Sequence, residues 1–94
     1  MVRLTRALDN NEFYIVDDDK VNHDVNGYSG DAINKLANFE NIYDDLVASQ
    51  SEISKELEIL RNEGKTHSCK FKELMVKKLT NNNIIILFKT YGLQ

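Results

Sequence analysis

The sequence predicts an α+β protein, mainly α, with an N-terminal β-hairpin, one long heptad-patterned helix and two short C-terminal helices in a single domain of 94 residues. Three observations lead there. Leu36, Phe39, Tyr43, Leu46, Gln50, Ile53, Leu57 and Leu60 recur at alternating intervals of three and four, the stripe with which one helix lies along another. Alternating apolar and polar residues followed by a β-rich run open the chain. Proline is absent throughout, which suits long helices.

Residues 1–16 read as the hairpin. Val2-Arg3-Leu4-Thr5-Arg6-Ala7-Leu8 alternates, Asp9-Asn10-Asn11 supplies turn chemistry, and Phe13-Tyr14-Ile15-Val16 forms the second strand. Two strands alone are marginal in water, so they need a helix to pack on or strands from another copy. Residues 17–30 are rich in Asp, Asn and Gly without helical period and read as a loop. Ser29 or Asp31 is positioned to cap the helix that follows, over 31–63, which Gly64 ends.

The C-terminal helical region spans 66–92. Thr66 or Ser68 starts it, and Phe71, Leu74, Met75, Val76 and Leu79 recur at three and four. Thr80-Asn81-Asn82-Asn83 brings cap and turn residues, which splits the region into two short helices. In the second, Ile84-Ile85-Ile86-Leu87-Phe88 is β-rich, but Tyr91-Gly92 resembles a helix exit, and helix is the preferred reading.

The net charge of −3 conceals a division: residues 1–60 carry 13 acidic and 5 basic side chains, and residues 61–94 carry 2 and 7. Opposed charge at the two ends suits head-to-tail or antiparallel self-association. The acidic part could also imitate nucleic acid toward a basic surface. No apolar run approaches 18 residues, and no basic-then-apolar segment opens the chain, so a soluble, cytoplasmic protein without a membrane partner is expected. A single cysteine, Cys69, excludes an internal disulfide.

Chemistry-bearing clusters are sparse. Asp17, Asp18, Asp19, His23 and Asp24 could in principle hold a metal, but Tyr28 stands where a calcium loop needs its closing carboxylate. His67 and Cys69 near a helix start suggest a nucleophile and base, yet residues two apart on a helix point to different faces. Gly-rich phosphate loops and nucleophile elbows are missing. The expectation is no enzyme, no metal and no cofactor. Arg61, Lys65, Lys70, Lys72, Lys77 and Lys78, beside Phe71, Phe88 and Tyr91, are the candidate contacts for a partner, a nucleotide or a nucleic acid strand.

The seam itself divides at Ser49-Gln50-Ser51. Ile42 and Val47 widen its N-terminal half, as packing on the hairpin and C-terminal helices requires. The C-terminal half keeps the narrow stripe of a two-helix contact. Leu46, Gln50, Ile53, Leu57 and Leu60 are therefore the expected oligomer interface, with the buried Gln50 amide fixing register.

Arg3-Leu4-Thr5-Arg6, Lys35-Leu36-Ala37-Asn38-Phe39-Glu40, Lys70-Phe71-Lys72, Leu79-Thr80-Asn81, Ile84-Ile85 and Tyr91-Gly92-Leu93 resemble small uncharacterised accessory proteins of phages and prophages of Gram-positive bacteria. The resemblance covers most of the chain and brings no catalytic motif with it. It implies a protein acting in the bacterial host by binding, which blocks a host defence complex (an anti-CRISPR or similar inhibitor), sequesters a nucleotide signal, or modifies host or phage assemblies; self-association is the expectation from the heptad. A nucleic-acid-binding regulator is the further alternative.

Overall fold

Two helices, rather than one long and two short, carry the chain from Asp31 onward: α1 over Asp31–Asn62 and α2 over Cys69–Thr90. They are preceded by strands β1 (Thr5–Leu8), β2 (Phe13–Val16), β3 (Asn22–Asp24) and β4 (Gly27–Ser29), with a 3₁₀ turn at Asp18–Lys20. This computed structural model describes residues 1–9 and 13–94, in two units, Met1–Phe39 and Glu40–Gln94. The α+β class stands, and the split C-terminal region does not.

Asn81 explains why α2 runs on through the asparagines. Asn ends a helix when its side chain bonds nearby backbone. Here the Asn81 side chain is spent elsewhere: the residue is only 8% exposed and its Nδ2 donates to the Ser49 hydroxyl of α1, 3.3 Å away. The apolar positions Phe71, Leu74, Ile85 and Phe88 keep helical spacing across the asparagines, so packing and local geometry agree.

Ser68 caps α2, its hydroxyl accepting from the Phe71 N–H at 3.2 Å and donating to the Lys65 carbonyl at 2.8 Å. Both helices stop in the same way. After α1, Gly64 (φ 71°) donates to Arg61 and Lys65 to Leu60; after α2, Gly92 (φ 74°) donates to Lys89 and Leu93 to Phe88. This pair of backward bonds satisfies carbonyls that the helix end leaves free, and the left-handed residue it needs is glycine in both cases.

In the N-terminal unit, β1 and β2 pair antiparallel from Thr5↔Val16 to Leu8↔Phe13. Asp9 has φ 44°, a conformation Asp tolerates; the rest of the turn expected at Asp9-Asn10-Asn11 lies outside the described residues. Arg6 pairs with Asp17 at 3.0 Å, Arg3 lies over the Tyr14 ring, and the Lys35 ammonium donates to the Val2 carbonyl.

The stretch 17–30 is not a plain loop. It contains a second hairpin, β3 on β4, with His23 opposite Tyr28 and their rings 4.4 Å apart. The Asp24 carboxylate accepts from the Asn26 N–H at 2.8 Å to shape the turn, and Gly27 (φ 122°) leaves it. Asn26-Gly27 is a hairpin signal in its own right. Gly30, rather than Ser29 or Asp31, takes the cap position of α1: its carbonyl accepts from the Asn34 N–H. A Cβ there would sit 2.9 Å from the Lys20 carbonyl oxygen at φ 114°, so only glycine fits.

Candidate interaction surface

The heptad seam meets its partner inside the chain. Leu57 is fully buried, Ile53 is 4% exposed, and both pack on Leu74 of α2, with Leu60 and Phe71 at the margin. Further along, Gln50 Nε2 donates to the Lys78 carbonyl at 3.0 Å and the Tyr43 and Phe88 rings stack at 6.1 Å. These contacts advance along α1 as they recede along α2. The two helices of the C-terminal unit are an antiparallel hairpin, with Leu46 and Gln50 half-buried in it. The residues expected at an interface between copies are thus the ones α2 covers.

Gln50 is the seam's polar member, and it is only half satisfied. Its Oε1 is buried without a hydrogen-bond partner, a cost of about 1–3 kcal/mol. The side chain lies at the edge of the helix pair, where Gln50, Met75, Lys78, Leu79 and Asn82 line a shallow depression of about 320 Å³.

That depression belongs to a second stripe. Lys72, Met75, Leu79, Asn82, Ile86 and Lys89 follow one another at intervals of three and four on α2, and so share one side of the helix. Met75, Leu79 and Ile86 are 41%, 62% and 51% exposed. On α1 the matching outer stripe is Glu40, Asp44, Val47, Ser51, Ser54 and Glu58, with Val47 45% exposed one turn from Gln50. Both stripes border the same side of the hairpin, where the Arg61 guanidinium also lies over the Phe71 ring at 5.5 Å.

The six candidate cations do not converge. Arg61 bonds Glu58 at 3.7 Å and Lys65 bonds Glu63 at 2.9 Å. At 100° per residue, Lys70 and Lys77 fall on the side of α2 away from Lys72, while the half-buried Lys78 borders the depression. Cys69 is exposed in the first turn of α2. Among the described residues, no three His, Cys, Asp or Glu side chains gather as metal ligands would, and no helix is long and apolar enough to cross a membrane.

Comparison with known proteins finds no family model, no curated protein and no solved structure that matches the chain. Its own geometry defines a class: an α+β chain whose C-terminal unit is an antiparallel helical hairpin with aliphatic side chains standing on its outer side. Sequence reading by the first heptad alone missed the outer stripe. The three-four spacing from Lys72 to Lys89 was the signal available.

Proposed function

We propose that this chain is a non-enzymatic, phage-encoded binding protein that associates with itself and inhibits a bacterial defence system by binding one of its components. One observation carries the binding reading. On one side of the 22-residue α2, Met75, Leu79 and Ile86 stay between 41% and 62% exposed. Aliphatic side chains aligned along one side of a helix mark surface that another molecule covers. The resemblance to phage accessory proteins supports the defence role by analogy of class.

The reading is tested by expressing the chain in host strains that each carry one defence system and measuring the plating of a phage which that system restricts. Relief of restriction by one system, with the tagged chain retaining a component of that same system, is the expected result. Unrelieved restriction across the panel would refute the inhibitory role.

A further inference from the structure

We infer that the outer side of the α1–α2 hairpin is a docking surface for a second copy of the same chain, with α2 of each copy lying on α1 of the other. The inference rests on the self-association reading above and gives it a face and a geometry. The inner seam is already filled by α2, so a second copy needs another surface. Only one side of the hairpin pairs an apolar centre with ordered charge at both ends.

On α2 that side runs from Lys72 through Met75, Leu79, Asn82 and Ile86 to Lys89; on α1 it runs from Glu40 and Asp44 through Val47, Ser51 and Ser54 to Glu58. The two stripes span about 26 and 27 Å at 1.5 Å per residue, so they match in length. One is apolar with basic ends and the other is small-residued with acidic ends. Ser51 and Ser54 leave room for Leu79, which stands 62% exposed.

Charge selects between the two ways in which a pair of such hairpins can stack with twofold symmetry. With the axis across the helices, α2 meets α2 and Lys72 opposes Lys89 of the other copy. With the axis along the helices, α2 meets α1 and antiparallel order is kept. Because Leu74 already sits level with Leu57 inside one chain, this second arrangement sets Lys72 beside Glu58 of the other copy and Lys89 beside its Glu40 and Asp44. Across the whole helices the same sense holds: α1 carries seven acidic and three basic residues, α2 one and five. Like charges face each other in the first arrangement and opposite charges in the second. The Glu58 bond to Arg61, 3.7 Å long and exposed, is weak enough to exchange for the new one.

The face is roughly 26 Å by two helix widths, about 20 Å, which places it at the small end of specific interfaces, where weak or transient contacts fall. Sedimentation velocity of the full chain from about 1 to 500 μM tests it. A monomer–dimer equilibrium is expected. Leu79→Glu should weaken it by about thirtyfold or more, the loss typical of a central contact, with unchanged far-UV circular dichroism. Ile59→Glu, exposed on the other side of α1, should not. Glu58→Lys should weaken the dimer, and adding Lys72→Glu should restore it. A dimer indifferent to Leu79→Glu, or a charge exchange that does not restore, overturns this face and leaves self-association standing. A monomer throughout overturns both.

Discussion

Asn81 of α2 reaches the hydroxyl of Ser49 on α1 across 3.3 Å, and this bond joins the two asparagine-and-serine stretches where the sequence looks weakest. Local chemistry marks both as interruptions: Thr80–Asn83 as a helix break, Ser49–Ser51 as a gap in the seam. Through Asn81 and Ser49 they place one polar contact within an apolar helix pair. A double-mutant cycle of Ser49→Ala and Asn81→Ala should give a favourable coupling of about 0.5–1.5 kcal/mol in urea unfolding. Neither substitution should reduce helix content. Zero coupling would show that the two residues do not pair.

The apolar core of the hairpin is small, so each member counts. Leu57→Ala should destabilise by about 2–5 kcal/mol, a large share of the roughly 5–15 kcal/mol typical of a domain. Ile59→Ala, two residues on and 55% exposed, should cost about 0.5 kcal/mol or less. Thermal or urea denaturation followed by circular dichroism compares them. Equal effects would mean that Leu57 does not face α2.

How much of this was readable in advance depends on how local the determinants are. The α1 stripe, the Gly64 stop and the Ser68 start are written in short-range spacing and capping chemistry. The continuity of α2 through Asn81 depends on a partner 32 residues away in sequence, which local propensity cannot register. The β3–β4 hairpin was legible at Asn26-Gly27, but its strands are three residues each, too short for alternation to declare them. As for the candidate site, charge division is plain in composition. That the cations of α2 split between two sides, and that Met75, Leu79 and Ile86 face outward while Leu74 faces in, depends on which of two overlapping stripes α1 selects.

Gly30 and Gly64 both have positive φ, but only Gly30 is crowded. Gly64→Ala should cost about 1 kcal/mol, the ordinary penalty for a side chain in the left-handed region. Gly30→Ala must also push aside the Lys20 carbonyl and should cost more. Amide hydrogen exchange is the measurement: protection of β3, β4 and the first turn of α1 should fall in Gly30→Ala. Unchanged protection there would mean that the 3₁₀ turn does not approach Gly30.

Gln50→Met removes the orphaned Oε1 together with the bond to Lys78. Relieving a buried unsatisfied oxygen offsets the lost bond, so the variant should be as stable as the parent or more so by urea denaturation. A loss beyond about 1 kcal/mol would show that the oxygen has a partner in solution.

The scatter of Lys70, Lys72 and Lys77 around α2 predicts weak, non-specific handling of phosphates. Calorimetry against cyclic nucleotides should give no saturable heat. A saturable response abolished by neutralising Lys70, Lys72, Lys77 and Lys78 would instead make the chain a nucleotide sponge.

The inner seam closes within one chain, and the outer side, as proposed, closes between two. Isotope-filtered nuclear Overhauser spectroscopy on an equal mixture of ¹³C-labelled and unlabelled chains, at a concentration where the dimer forms, tests both parts at once. Contacts between the methyls of Val47 and Ile86 should appear in the intermolecular spectrum, and those between Leu57 and Leu74 should be missing from it. Intermolecular Leu57–Leu74 contacts would contradict the account and return the heptad seam to an interface between copies.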